Sequence, residues 1–481
     1  MITKLLLLAT LSAVPHPSIA PMSVSASAPQ SYTADAFARR VVKRAPDVEA
    51  AQLRAEQARQ AAAEVRTAFV PTLEATLRAT RLFQPDNGSL VSGLPPAGSF
   101  DEGLAAIADP AAAGVLTGIV QQLEGLGDAR LPVVRNQAAL NLRLTIPISD
   151  VFTTIAAAHR EAKAGAAAQQ ALVASSQAEV RLRALEAYYG YVRATSLLKV
   201  TEAAVARVSS QVTLVTSAQR LGTATQADVL AVQARQAQAE IDRIDASARV
   251  DAAADALRIL AELPEGAALS TDALPGLAPI ETSLPELQRR ATASRPELDA
   301  AALSIDARRE GLKRAKWDRA PKLALVGNVD TARPNPRIVP LDERFATTAD
   351  ASLVLSWSPN ALLSGGPRVK AAKASMRAAS ADRDALARGV AVEVSGAYRS
   401  YEGAQAMIRQ ADAFVAAAEA RYDAEAARLK RGAVTADTLV EADLEVTRAQ
   451  AAQVDARARV HLAHAQLERA VGSLSQEDFR G

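Results

Sequence analysis

Proline is the residue a long helix tolerates least, and this chain withholds it over two long stretches. Of 23 prolines, none lies between Ile148 and Leu263 and none from Arg368 to the C-terminus, leaving runs of 116 and 114 residues. A proline inside a helix removes a backbone hydrogen bond and its ring meets the preceding turn. Both runs are rich in alanine, which makes up roughly 23% of the chain and costs least to place in a helix. Each run has one clear interruption, RLGTATQADVL around Gly222 and RLKRGAVTADTLV around Gly432. A glycine followed within a few residues by Thr and Asp reads as the end of one helix and the start of the next, so each run predicts a helical hairpin. The 68 residues from Thr154 to Leu221 would reach about 100 Å as one helix.

The two halves repeat one another. Tyr188, Tyr191 and Gly222 recur as Tyr398, Tyr401 and Gly432 at an offset of 210, and Pro46 and Pro71 recur as Pro296 and Pro321 at an offset of 250. The difference of 40 falls between Pro71 and Tyr188 and places an insertion at 85–135, whose Gly, Pro, Asp and Ser predict a long exposed loop. Each half then runs as a helix (about 33–68, or 285–319), a proline, an alternating segment, a loop, a second alternating segment and the long hairpin.

In the alternating segments Leu73, Ala75, Leu77 and Ala79 interleave with Glu74, Thr76, Arg78 and Thr80, while Leu140, Leu142, Leu144 and Ile146 interleave with Asn141, Arg143 and Thr145. In the second half Leu323, Leu325 and Val329 stand against Lys322 and Asn328, and Leu353, Leu355 and Trp357 against Ser352, Ser356 and Ser358. A period of two is the mark of a strand with one apolar and one polar face. Runs of eight to ten residues suit tilted strands crossing a bilayer. Lipid tolerates no open sheet edge, so four such strands require several chains to share one barrel.

Residues 1–14 place one lysine before an apolar run from Leu5 to Val14, the length of a secretory h-region, which predicts a signal peptide over 1–28 cleaved between 20 and 28. No later stretch is long and apolar enough for a transmembrane helix. The balance of 55 Lys+Arg against 53 Asp+Glu argues against nucleic acid as a partner. Without cysteine there is no disulfide, thiolate metal site or thiol nucleophile. No phosphate loop, GxGxxG or GxSxG motif occurs, so neither a cofactor nor a catalytic residue is expected. His461 and His464, three apart on a helix, lack a third metal ligand, and the helix around them carries ordinary surface residues, so no metal site is expected there.

The duplicated segment RAPDVEAAQLRAEQARQAAAEVRTAFVPTLEA with its echo SRPELDAAALSIDARREGLKRAKWDRAPKLAL, the strands LNLRLTIPIS and SLVLSWSPNALLSGGPRVKAAKA, and the paired tips together resemble the outer-membrane efflux protein family, the TolC-like channel-tunnels, over essentially the whole chain after the signal peptide. In that family a Gly-Gly turn follows the strand; Gly365 and Gly366 supply it in the second half, whereas Asp150-Val-Phe-Thr stands there in the first.

The resemblance implies a mainly α fold with a membrane β-barrel. Long antiparallel hairpins form an α-barrel tunnel, and four strands per chain contribute to a trimeric twelve-stranded barrel in the outer membrane of a Gram-negative bacterium. Its partners would be a periplasmic adaptor (membrane fusion protein), an inner-membrane pump and outer-membrane lipid. The expected organisation is a first repeat at 29–262, an equatorial linker at 263–284, a second repeat at 285–472 and a tail at 473–481.

The function that follows is passive passage of exported compounds from a pump and adaptor assembly to the exterior. Type I protein secretion and small-molecule or metal efflux share such a duct. The competing class is a soluble periplasmic coiled-coil adaptor or scaffold, which the duplicated strands disfavour. Adaptor contacts are expected at Arg220, Leu221, Gly222, Thr223, Arg431, Gly432, Ala433 and Val434. The family's acidic entrance rings match Asp228 and Glu441; its other position is Thr438 here, with Asp437 displaced by one residue. Like charges repeated about an axis attract cations, while the alternative role for such acids is stabilising a helix N-terminus. Glu74, Arg78, Asn141, Arg143, Lys322 and Asn328 are expected to face the barrel lumen. Trp357 and Phe83, near strand ends, are candidates for an interfacial aromatic girdle.

Overall fold

A computed structural model describes residues 32–83, 98, 100–127, 134–263, 274, 277, 279–339 and 343–473. The predicted signal peptide, most of the 263–284 linker and nearly all of the C-terminal tail lie outside the described residues. In chain order the elements are α1 (Ala34–Arg44), α2 (Pro46–Thr67), β1 (Thr72–Arg81), α3 (Asp101–Ala105), α4 (Pro110–Gly127), β2 (Asn136–Pro147), α5 (Thr154–Arg220) and α6 (Gln226–Leu260). The second half follows with α7 (Leu284–Ser294), α8 (Pro296–Trp317), β3 (Lys322–Arg333), β4 (Ala346–Ser356), α9 (Asn360–Leu429) and α10 (Ala436–Val471). No described helix is long and apolar enough to cross a membrane.

The two proline-free runs hold the two hairpins, α5 with α6 and, past its opening turns up to Pro367, α9 with α10. Three expectations need correction. The helices predicted over 33–68 and 285–319 are each broken in two, because the residue before a proline is pushed out of the helical region. Ala45 (φ −66°, ψ 124°) and Arg295 (φ −73°, ψ 119°) are extended, and Pro46 and Pro296 open α2 and α8. The 85–135 insertion is not a bare loop: Pro110 starts α4, Asp109 Oδ1 accepts from the Ala111 N–H at 2.9 Å, and alanine and leucine outweigh the glycines that suggested irregular chain. Gly365 and Gly366 make no turn but lie inside α9, which begins at Asn360 and carries Pro367.

The chain divides into two units. One comprises Met1–Ala45, Val180–Glu281 and Arg399–Gln466. Its interior is built from alanine and valine stripes, with Phe37 against Tyr188 at 5.9 Å between ring centroids and the Tyr188 hydroxyl donating to the Tyr32 carbonyl at 2.9 Å. Small side chains on facing helices let backbones approach closely, which explains the alanine content. Tyr401, the repeat counterpart of Tyr191, is also buried, and its hydroxyl accepts from Gln405. His461 and His464 pack against the rings of Tyr189 (5.1 Å) and Tyr401 (5.7 Å).

The other unit comprises Pro46–Glu179, Thr282–Tyr398 and Leu467–Gly481 and carries the sheet. Its helical part is tied by buried Arg295, whose guanidinium donates to Glu393 Oε2 at 2.7 Å and to the Arg469 carbonyl at 2.9 Å, while Arg469 pairs with Glu179 at 3.2 Å. These charge-assisted hydrogen bonds hold the extended Arg295 junction between α7 and α8.

Candidate functional site

The sheet is a single antiparallel layer in the order β1-β2-β3-β4, and its register separates two kinds of surface. Glu74 pairs with Arg143, Arg143 with Asn328 and Asn328 with Asp350, so one polar row crosses all four strands. The next row is Thr76, Asn141, Asp330 and Thr348. Asn141 donates to Asp330, Asn328 donates to Asp350 at 3.1 Å, and Arg337 pairs with both Asp330 and Asp350. Arg78 and Lys322 fall on the same face by the alternation of the pleat, so all six residues expected at a lumen share one side.

The opposite face is apolar along every strand: Leu73 lies across from Leu144, Ala75 from Leu142, Leu142 from Val329 and Leu323 from Leu355. This face is bare. Leu73, Leu77, Leu353 and Leu355 are 71%, 79%, 63% and 67% exposed. Covering one such side chain is worth about 1.5–3 kcal/mol, so a row of them left in water is a surface that requires a partner phase. Exposed aromatic residues stand beyond both ends of the strands, Phe83 and Phe345 at one end and Trp317, Phe152 and Trp357 at the other.

The hairpin tips belong to the first unit and are built alike. Gly222 (φ 78°) and Gly432 (φ 71°) take the left-handed conformation that ends a helix, and an added Cβ would meet nothing within 4 Å at either. Backbone angle alone therefore demands glycine there. The Thr223 N–H bonds the Ala218 carbonyl at 2.9 Å and the Ala433 N–H bonds the Arg428 carbonyl at 3.0 Å, closing the two turns in the same way. Arg220, Leu221, Gly222, Thr223, Arg431, Gly432 and Ala433 are exposed and Val434 is half-buried; Leu221 is 80% exposed.

Asp228 completes a capping box. Its carboxylate accepts from the Thr225 N–H (2.8 Å) and hydroxyl (2.6 Å), and Thr225 accepts from the Asp228 N–H at 3.2 Å. The hydrogen bonds from the Thr225 side chain and backbone hold the Asp228 carboxyl below its ordinary pKa, with a lesser contribution from the backbone of Ala436 on the other tip. In the second repeat the equivalent pair is Thr435 and Thr438, whose hydroxyls are 3.2 Å apart, so the missing acid is the capping-box member. Asp437 and Glu441 are exposed.

Beneath the tips Val208, Val215, Val229, Val232 and Ala436 form one apolar cluster joining both hairpins. Next to it lies a charged group that the sequence reading missed. Asp443, fully buried, accepts from Arg207 Nε at 2.8 Å and from Arg235 Nη2 at 3.4 Å, while Arg207 Nη2 reaches Thr447 at 2.9 Å. Its signal was available: Asp443 interrupts the stripe Leu439, Ala442, Val446 and Ala449, an acid on the buried face of α10.

The model of the family described as outer membrane efflux protein matches residues 287–473. No curated protein matches the chain in sequence. Among solved structures the chain is similar to the Campylobacter jejuni CmeC outer membrane channel, at 14% identity and a TM-score of 0.70 over 92% of this chain and 87% of that one. It is similar to the outer membrane protein VceC from Vibrio cholerae at 16% identity and a TM-score of 0.69, covering 91% and 96% of the two chains. The open state of the Neisseria gonorrhoeae MtrE outer membrane channel is similar at 16% identity and a TM-score of 0.65, covering 91% and 88%.

Proposed function

We propose, from the premise that this chain has the fold of outer-membrane efflux channels and carries that family's sequence pattern over 287–473, that it is one subunit of a homotrimeric outer-membrane exit duct. The observation that carries this reading is the sheet itself: one face apolar and bare, the other polar and cross-linked, with β1 and β4 at its two outer positions. In lipid an unpaired strand edge leaves backbone groups without partners, so β1 of one copy pairs with β4 of the next, and three copies close twelve strands. The apolar rows then meet hydrocarbon, and Glu74, Arg78, Asn141, Arg143, Lys322 and Asn328 line an aqueous lumen.

The helical hairpins continue the duct as a periplasmic tunnel, and its far end is where a pump's adaptor docks. The exposed tip residues support that role, Leu221 above all, since a leucine held out on a rigid Schellman turn is an apolar anchor for a partner. Asp437 and Glu441 form the acidic lining of the entrance; Asp228 stands with them but commits its charge first to its own helix cap. Exported compounds pass by diffusion, and selectivity for cations arises where the carboxylates repeat around the axis.

The test is conductance of the purified protein in planar bilayers, comparing the native chain with Asp228→Ala/Glu441→Ala. Discrete openings with reduced cation preference in the variant are expected. An unchanged channel would remove the acidic entrance from this reading, and an intact trimer with no channel activity would replace the duct by a scaffold.

A further inference from the structure

At the helix ends next to the sheet there is a cavity that the duct reading does not use. About 460 Å³ of space, within the range of ligand pockets, is bounded by Glu161 of α5, Arg308 and Arg314 of α8, Asp318 just past its end, and Arg368 and Ser375 of α9. The floor is kept open by small residues: a Cβ at Gly311 would stand 2.9 Å from Glu161 Oε1, and Ala315 and Ala372 complete the wall.

The charges around this space do not cancel. Arg314 Nε holds Glu161 at 3.1 Å, and Asp318 shares Lys322 with Asp150, each at 3.9 Å, so each carboxylate already faces a cation other than Arg308 and Arg368. Arg308 and Arg368 make no ion pair or hydrogen bond with any described residue. Two uncommitted guanidiniums, a third already oriented by Glu161 and the Ser375 hydroxyl present a set of donors to one space. A planar guanidinium matches the spacing of phosphate oxygens and offers two parallel hydrogen bonds to them.

The position narrows the ligand further. Asp318 lies four residues before β3 begins, and α9 begins four residues after β4 ends. The corner is fixed by Arg319, whose Cγ would be 2.7 Å from a Cβ on Gly365, whose Nη2 donates to the Leu362 carbonyl at 3.4 Å, and whose carbonyl accepts from the Trp357 indole at 3.3 Å. Trp317 and Trp357, both about half exposed, mark the same level. Arg314 is one helical turn, about 6 Å, below Asp318, and Arg368 about 12 Å along α9 from Asn360 with its side chain tilted back toward the helix start. The headgroup zone on each side of a bilayer is roughly 5–7 Å deep, within reach of Arg314 and Arg368, while Arg308, ten residues or about 15 Å before Asp318 along α8, closes the space on the side away from the strands.

We propose that this cavity binds a phosphate group, clamped by Arg308 and Arg368 and oriented by Arg314. The group is carried by an anionic phospholipid headgroup at the membrane surface or by soluble phosphate. The lipid source rests on the reading of the sheet as membrane-inserted; the phosphate chemistry does not.

Full-length protein in detergent is titrated with phosphatidylglycerol, followed by native mass spectrometry, and separately with inorganic phosphate, followed by calorimetry. The variants are Arg308→Gln/Arg368→Gln and, as a charge-matched control further along α9, Arg383→Gln/Arg388→Gln. The expected result is retained phosphatidylglycerol whose affinity falls roughly 30-fold in the first variant and not in the control. Binding of inorganic phosphate with the same dependence on Arg308 and Arg368, and no advantage for the lipid, assigns the clamp to a soluble phosphate. Equal loss in both variants, or no binding of either probe, overturns the site.

Liposome flotation of the same samples separates the two readings. Protein that floats but binds without regard to these arginines loses the site and keeps the membrane. Protein that fails to float yet binds phosphate through them keeps the site and loses the membrane.

Discussion

Asp443→Ala should loosen the hairpin tips more than any exposed charge removal in the same unit. The wild-type carboxylate is fully buried between Arg207 at 2.8 Å and Arg235 at 3.4 Å, and the Arg235 side chain is 5% exposed. Without Asp443 the acid left near Arg235 among the described residues is Asp242 at 3.8 Å. Breaking a buried pair from one side costs about 3–5 kcal/mol, because the other charge stays desolvated. Taking the lower figure, the local opening equilibrium rises by roughly 10²-fold.

The comparison is Asp455→Ala. Its pair with Arg193 at 2.6 Å is half exposed on both sides, so its loss is expected to cost about 0–1 kcal/mol. Hydrogen exchange of the amides at 207–215, 229–239 and 439–449 reads both variants directly. Exchange in Asp443→Ala no faster than in Asp455→Ala would refute the reasoning. A further arm, Arg235→Met/Asp443→Leu, replaces both buried charges by apolar volume and should recover most of the protection, while Arg207, 20% exposed and near Thr447 and Gln450, turns to solvent.

Leu77→Arg, on the bare face of β1, should lower trimer yield in membranes by the equivalent of about 2–4 kcal/mol, whereas Thr76→Arg on the polar face should assemble and shift ion selectivity, as heat-modifiable gel mobility and conductance would record. Gly432→Ala should destabilise its tip by about 1–2 kcal/mol through the left-handed backbone alone, and Ala433→Gly should not, a contrast visible in local exchange rates. The Asp228 carboxyl has a lowered folded-state pKa, so the stability it lends is present above the ordinary value near ~3.9 and fades as pH falls through the lowered one. Protection of the Ala227–Leu230 amides should decay over that acid range in the native chain and be flat in Asp228→Asn.

Element type and order follow from local rules, and for that reason they could be read along the chain. The absence of proline and the abundance of alanine set α5, α6, α9 and α10; Gly222 and Gly432 set their ends; the period of two set the strands and the side on which Glu74, Arg143 and Asn328 meet. Three local readings are overturned, two of them by other local chemistry and one by packing. The sequence pattern runs helices through Pro46 and Pro296, which instead divide them because the residue before each is extended; α4 forms where glycine and proline suggest irregular chain, because Pro110 opens it; and Gly365, which suggests a turn, is the space that Arg319 fills.

The charged groups divide in the same way. Asp228 was legible as an acid at a helix start, but whether its carboxylate turns to Thr225 depends on side-chain geometry. Asp443 with Arg207 and Arg235, and the space between Arg308 and Arg368, join residues from separate helices that no spacing rule links. Periodicity reports on neighbours a few residues apart, through backbone geometry and the face a side chain must take. Which charges share a desolvated space is decided only when those helices come together.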